Sequence, residues 1–373
     1  MKKIGITGQS GFIGSHLYNH ILFKTNYKLI PFKDSFFNNE NKLDDFVEKC
    51  DFIIHLAAVN RDDDPNKIYN INLELVNKLI NSCKKENSSP HIIFSSSVQE
   101  DNESPYGKSK KEGALLFEKW AKQTQSKFTR LVIPNVFGPF AKPFYNTFIS
   151  TFSYQLINNE SPEIKIDNSI DLIFVGSLCD YIISIINKDK SKQISIKDVP
   201  SDFTIKVSEI LEIFKNFKTQ YFDDGIIPFL EDLNQINLFN TFRSYIHLKE
   251  HFPINLIKHE DNRGVFVETI KLNIGGQVSF STTVPGITRG NHFHTRKIER
   301  FTVIKGKAKI QLKKVGDSDV INYYLDGDNP SYVDMPIWYS HNIKNIGDEE
   351  LITQFWINEP YDVNDHDTYI KAI

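Results

Sequence analysis

Apolar positions fall into two textures along the chain. In the first, short apolar runs at 3–7, 28–32, 51–58 and 91–97 read as buried strands. Helical periods follow at 15–23 and 66–83, and strand–helix alternation of this kind predicts a parallel sheet covered on both faces. From 144 to 245 the pattern loosens, with further helical periods at 181–187 and 206–217. After about residue 253 the period falls to two. Stretches at 265–270, 277–281, 300–304, 308–312, 319–324 and 350–356 alternate between Gly, Asn and Asp turns. Many short alternating strands predict a β-barrel or jelly roll. The expected organisation is an α/β Rossmann-type domain over 1–245, then an all-β domain over 253–373.

The first strand runs into Gly8-Gln-Ser-Gly11-Phe-Ile-Gly14 and then a helix. Gly8 permits the tight turn, Gly11 admits a pyrophosphate, and Gly14 lets the helix pack on the strand. The helix N-terminus offers N–H groups to phosphates. The turn therefore predicts a dinucleotide site that includes Ser10, Phe12 and Ile13, with Ala57 and Asn60 at the end of the strand 51–58. An acidic residue at the end of the second strand would bond a ribose 2′-hydroxyl. Lys33 stands there instead and favours the 2′-phosphate of NADP(H), while the adjacent Asp34 keeps NAD(H) open.

The strand 91–97 ends in Ser95-Ser96-Ser97, and Tyr106-Gly-Lys-Ser-Lys110 follows. In open α/β sheets ligands lie beyond the strand C-termini. Four residues apart on a helix, Tyr106 and Lys110 share a face. The ammonium is expected to lower the phenol's pKa, so that Tyr106 exchanges a proton with substrate, with Ser97 bonding the same oxygen.

In the second texture, His292, His294 and Glu299 stand close together and His341 much later. Three imidazoles and a carboxylate suit a divalent metal, zinc first, with manganese, iron or nickel behind it. The alternative is a metal-free polar lumen. Composition then narrows the class. The 373 residues carry a formal net charge of −3, which gives no bulk reason to expect nucleic acid or an anionic membrane. No apolar run is long enough to span a bilayer. Cys50, Cys83 and Cys179 are scattered, as in a reduced cytoplasmic protein.

The glycine turn, Asp51-x-x-x-His-Leu-Ala-Ala58, Ser95-Ser-Ser97, Tyr106-x-x-x-Lys110 and Arg130-Leu-Val-Ile-Pro-Asn135-Val-Phe-Gly-Pro139 resemble an extended short-chain dehydrogenase/reductase of the nucleotide-sugar branch. The resemblance implies Tyr106 as general acid, Lys110 on the nicotinamide ribose, Ser97 on the sugar oxygen and Asn135 beside the substrate. Only eight residues separate Ser97 from Tyr106, fewer than in many relatives, so the choice between Ser96 and Ser97 stays open. The later His-x-His, Glu and His resemble a cupin. Asp261-Asn-Arg-Gly264 and Gly286-Ile-Thr-Arg-Gly-Asn-His292 resemble the sugar-nucleotide 3,5-epimerases. That implies Arg263 and Arg289 at the substrate and His292 near the reacting carbon. His292 would then be both base and metal ligand, which leaves the base unresolved.

Reductase and cupin together resemble the bifunctional CapF-type enzymes of capsule and O-antigen synthesis. The resemblance implies C3 epimerisation and then NADPH-dependent C4 reduction of a UDP-2-acetamido-2,6-dideoxy-4-keto-hexose by a homodimer. The alternative is a single-activity ketoreductase whose barrel serves dimerisation or substrate sensing.

Overall fold

The computed structural model describes residues 1–188 and 192–373. The chain divides into two compact units, 1–151 with 164–208, and 152–163 with 209–373.

Elements of the first texture run β1 (Lys3–Thr7), α1 (Phe12–Lys24), β2 (Lys28–Ile30), α2 (Glu40–Lys49), β3 (Phe52–His55), α3 (Pro65–Lys85), β4 (His91–Ser97), α4 (Pro105–Thr124), β5 (Phe128–Ile133) and β6 (Asn135–Phe137). Then come α5 (Phe148–Ile157), β7 (Ser169–Phe174), α6 (Val175–Asn187), β8 (Ile194–Asp198) and β9 (Phe203–Lys206). Six strands pair in parallel in the order β2-β1-β3-β4-β5-β8. All four residues of β3 are buried, as a parallel strand covered on both faces requires. One core packs Phe46, Val76, Leu79, Phe117 and Trp120 under α2, α3 and α4. The other packs Leu17, Ile21, Leu178 and Ile182 under α1 and α6. The strand order reverses between β1 and β3, and their C-terminal ends open the crevice where such sheets bind ligands. α4 starts where its sequence says it should. Ser104 accepts a hydrogen bond from the Gly107 N–H, and Pro105 takes the first helical position.

The second unit holds α7 (Val207–Phe217, its first turn shared with the first unit), β10 (Ile226–Ile227), α8 (Leu233–Arg243), α9 (Leu248–His251), β11 (Ile254–Asn255), β12 (Lys258–Asp261), β13 (Gly264–Val267) and β14 (Lys271–Leu272). The barrel strands follow: β15 (Gln277–Thr283), β16 (Thr288–Phe293), β17 (Glu299–Lys305), β18 (Lys307–Lys314), β19 (Val320–Asp326), β20 (Ser331–Met335), β21 (Tyr339–Asn345), β22 (Leu351–Ile357) and β23 (Tyr369–Ile370). They form two antiparallel five-stranded sheets, β11-β20-β17-β22-β15 and β19-β18-β21-β16-β23. In β18, Ala308, Ile310 and Leu312 are fully buried while Lys307, Lys309 and Lys313 alternate with them. This is the inward and outward period that the sequence announces.

The division of units differs from a boundary at 245, because residues 209–245 pack within the barrel's unit. α7 and α8 meet through aromatic rings, with Phe217–Phe239 centroids 5.0 Å apart and Phe214–Phe242 5.7 Å. A buried polar chain then ties them to the barrel. Arg243 Nε donates to the Tyr221 hydroxyl at 3.1 Å, and that hydroxyl donates to Asp334 Oδ2 at 2.7 Å. Asp334, fully buried on β20, takes both prongs of Arg300 from β17 at 2.7 and 2.9 Å. The helical texture of 209–245 matches the first domain's, but its contacts serve the second.

Removing one partner of a buried ion pair leaves an uncompensated charge and costs about 3–5 kcal/mol. Asp334→Ala is therefore expected to lower the stability of the second unit by that amount. Denaturation followed by fluorescence, with Trp338 and Trp356 reporting on this unit and Trp120 on the first, is expected to show an early barrel transition and an unmoved one for Trp120.

Candidate active sites

The glycine turn has the shape its spacing requires. Gly8 takes φ +68°, and a side chain there would meet the Ala57 backbone at 2.8 Å. A Cβ on Gly14 would lie 2.1 Å from the Gly8 carbonyl oxygen. The Gly11 N–H closes the turn on the Gly8 carbonyl at 3.0 Å. A cleft of about 410 Å³ joins this turn, including Phe12 and Ile13, to Asn60, Ser97, Tyr106, Lys110 and Asn135. The structure thus brings most of the expected cofactor and substrate residues to one cavity. Ala57 backs the turn rather than lining the cleft. Lys33 is exposed and outside the lining, whereas Asp34 accepts a hydrogen bond from Ser10 Oγ at 2.8 Å. The acidic residue, not the basic one, is drawn to the turn.

The short link from Ser97 to Tyr106 is folded tightly. Residues Val98–Asp101 form a 3-10 turn, and a Cβ on Gly107 would meet the Gln99 carbonyl oxygen at 2.2 Å. The Ser96 hydroxyl is engaged by the buried Glu100 carboxylate, which also pairs with Arg130. Ser97 Oγ accepts from the Gln99 N–H at 3.1 Å and lines the cleft half-buried. Ser95 Oγ donates to the His55 carbonyl.

Tyr106 lies in the first turn of α4 with Lys110 one turn on, the Lys110 Nζ 5.6 Å from the Tyr106 ring centre. That ammonium donates to the Ser95 carbonyl at 2.8 Å. Burial, with Tyr145 second, pushes the Tyr106 phenol up to about 12. Burial also pulls Lys110 down to about 7. The expected lowering of Tyr106 by Lys110 is thus corrected. Desolvation outweighs the cation, which is anchored at the Ser95 carbonyl and itself loses charge on burial. Two cleft residues had no sequence pattern to mark them, Tyr145 and Arg61. The Arg61 Nη1 donates to the Phe144 carbonyl at 2.9 Å.

In the barrel, His292, His294, Glu299 and His341 converge, with their donor atoms all within 4.8 Å of one another. β16 pairs with β21, and a bulge at Asn291 (φ +64°) shifts the register between Gly290 and His292. Arg289 therefore opposes Ile343 and His292 opposes His341, so both point to one face. His292 is half-buried, whereas His294 and His341 are buried. His294 Nδ1 faces the Asp367 carbonyl at 2.6 Å, and His341 Nδ1 faces the Tyr339 carbonyl at 3.1 Å. A carbonyl only accepts, so each ring carries a proton on Nδ1, and each Nε2 presents a lone pair when its ring is neutral. Each Nε2 lies 3.1 Å from Glu299 Oε2, and all three atoms are buried without a hydrogen-bond partner.

Charge follows the same geometry. Burial pushes the Glu299 carboxyl up, yet the His294 and His341 rings hold it well below the usual carboxylate range. Burial, then the neighbouring His341 and His294, pulls His292 down to about 4. Burial opposes a charge on His294, but Glu299 and the Asp367 carbonyl raise its pKa. Three imidazoles converging on a buried carboxylate fit a divalent cation, which displaces the protons of the nitrogens it binds.

The two expected substrate arginines have partners of their own. Arg263 is exposed at the β12–β13 turn and paired with Asp261. Arg289 donates to Thr283 Oγ1 and the Thr282 carbonyl, each at 3.1 Å. One residue that the sequence did not mark is Asp367. Its carboxylate accepts from the N–H groups of Thr295, Arg296 and Lys297, the loop between His294 and Glu299.

The family model described as "NAD dependent epimerase/dehydratase family" matches residues 4–196. That described as "Polysaccharide biosynthesis C-terminal domain" matches 259–369. The capsular polysaccharide assembling protein CapF of Staphylococcus aureus is 32% identical, with TM-score 0.63 and full coverage of both chains. The chain belongs to the CapF-type family. A curated relative, the UDP-2-acetamido-2,6-beta-L-arabino-hexul-4-ose reductase of Pseudomonas aeruginosa, is 28% identical over 100% of this chain and 99% of its own. The spore coat polysaccharide biosynthesis protein SpsL of Bacillus subtilis is 28% identical over 30% of this chain and 81% of its own. CapF-type chains thus join a nucleotide-sugar oxidoreductase/epimerase fold to a polysaccharide-biosynthesis barrel. No helix among the described residues is long and apolar enough to cross a membrane.

Metal analysis of protein purified without chelator is expected to find about one divalent ion per chain, as one closed four-ligand set implies. His294→Ala is expected to diminish it. Metal-free wild type would refute the ligand set.

Proposed function

We propose that the chain epimerises C3 of a UDP-2-acetamido-2,6-dideoxy-4-keto-hexose at the barrel cluster and reduces its C4 ketone in the first unit's cleft. The product would be UDP-2-acetamido-2,6-dideoxy-L-talose, on the route to UDP-N-acetyl-L-fucosamine. The observation that carries the reductive half is one cleft joining the glycine turn to Ser97, Tyr106 and Lys110. The name of the Pseudomonas aeruginosa relative supports the class of substrate.

Bound NADPH supplies the hydride for C4, and a divalent metal at the barrel cluster supplies charge stabilisation beside the C3 carbon. The chain's residues do the rest. The Tyr106 phenol, kept protonated by burial, gives its proton to the C4 oxygen as that carbon gains hydride. Ser97 Oγ, which accepts from Gln99, directs its own O–H at the same oxygen. Lys110 on the same helix face binds the nicotinamide ribose, and Asn135 borders the sugar. At the barrel His292, His294, Glu299 and His341 hold the metal. His292 is the half-buried histidine of the set and borders the sugar ring.

The 4-ketone makes the C3 proton removable, and reduction then ends the exchange. The order follows, epimerisation first and reduction second. Lys33 supports NADP(H), whereas the Ser10–Asp34 hydrogen bond favours NAD(H) as a second reading. A homodimer working on a soluble UDP-sugar completes the proposal.

Tyr106→Phe is expected to abolish oxidation of NADPH and of NADH by the ketone substrate, while solvent deuterium still enters C3. Loss of both activities would refute the division of labour.

A further inference from the structure

The C-terminal tail carries a device that the motifs do not record. After β22 the chain turns back along β16, the strand that holds His292 and runs directly into His294. β23 pairs with β16, so that Ile370 lies opposite His292 and Tyr369 opposite Phe293. The Tyr369 ring stacks on Phe293 with centroids 5.2 Å apart, and the Lys371 N–H donates to the Asn291 carbonyl at 2.8 Å. Just before β23 stands Asp367, buried and in a left-handed conformation at φ +42°.

Asp367 meets the cluster with both halves of the residue. Its carbonyl receives the His294 Nδ1 proton at 2.6 Å. Its carboxylate accepts from Thr295 Oγ1 at 2.6 Å and from three successive N–H groups, Thr295 at 3.1 Å, Arg296 at 2.9 Å and Lys297 at 3.1 Å. Those residues form the loop from His294 to Glu299. One residue, seventy-three positions from His294 in sequence, therefore sets the tautomer of one candidate ligand and the path of the chain to another. Four donors on one carboxylate are hard to replace. An amide would turn an NH2 toward N–H groups, and alanine would leave three of them unpaired.

We infer that Asp367 is a positioning residue for the metal centre, and that metal binding and the docking of the tail 365–371 are thermodynamically coupled. This rests on the metal reading of the cluster. The ion draws on the Nε2 lone pair of His294, which strengthens the Nδ1–H bond to Asp367. A docked tail in turn holds the Nε2 atom aimed at the ion. Coupling through a shared bond is reciprocal. Removing the ion loosens the tail, and removing the carboxylate weakens the ion.

The test measures zinc affinity by competition with a chromophoric chelator in the full chain, for wild type, Asp367→Ala and Lys307→Ala. Lys307 is exposed on β18, outside the tail, the His294–Glu299 loop and the cluster. Asp367→Ala is expected to bind zinc about 10–100-fold more weakly, the usual effect of losing an outer partner of a metal ligand. Lys307→Ala is expected to bind as wild type does. Hydrogen exchange of the wild-type chain, with zinc and after chelation, needs no variant. Faster exchange over 365–371 on chelation, with 91–97 unchanged, is expected. Wild-type affinity in Asp367→Ala, or tail exchange indifferent to zinc, overturns the coupling while leaving the metal site standing. A wild-type chain that takes up no zinc overturns both.

Discussion

Two imidazole protons in the barrel are committed to backbone carbonyls, and much of the second unit's arrangement follows. With His294 and His341 each donating from Nδ1, the neutral rings turn their Nε2 lone pairs on the Glu299 carboxylate 3.1 Å away. Three acceptors meet in a buried place where an unpaired polar group costs about 1–3 kcal/mol. A divalent cation would resolve that conflict, and the surrounding elements fix the four residues that would hold it. The Asn291 bulge turns His292 onto the face of His341, and the tail fixes the loop to Glu299. The barrel's apolar strands form the scaffold.

The first unit solves a different problem with similar means. Burial raises the Tyr106 phenol to about 12, so that it keeps its proton at neutral pH. Lys110 loses charge in the same surroundings, and its ammonium is stationed at the Ser95 carbonyl. The short 3-10 turn after Ser97, locked by Glu100 and Arg130 and pressed against Gly107, brings the serine and the tyrosine together despite the short link. Proton exchange beside a ketone needs a base and a means of stabilising the enolate, and a bound cation is one such means. Reduction needs a retained proton beside a hydride donor. One site cannot readily be both, which is a physical reason for two.

Much of this was legible because the chemistry is local in sequence. The glycine turn, the serine triplet and the Tyr106–Lys110 pair each lie within one strand–turn–helix unit, so spacing implies geometry. His292, His294 and Glu299 lie close together, from the end of bulged β16 to the first residue of β17. What escaped the sequence is long-range. Asp367 lies far in sequence from His294 and the loop it bonds and sits in a polar tail with no periodicity. Residues 209–245 look helical like the first domain, yet the Arg243–Tyr221–Asp334–Arg300 chain binds them to the barrel. The Tyr106 shift depends on burial, which a one-turn spacing does not report. Lys33 and Asp34 are neighbours in sequence, and only the fold decides that Asp34 meets Ser10.

The central claim is that one ketone is epimerised and then reduced by the same chain. The most direct measurement supplies wild-type protein with a UDP-2-acetamido-2,6-dideoxy-4-keto-hexose and NADPH in deuterium oxide, and reads the product by mass spectrometry and proton NMR. The account predicts a reduced sugar with one solvent deuterium at C3 and inverted configuration there. A reduced sugar with protium and unchanged configuration at C3 would contradict it, and would leave the barrel without a part in the chemistry.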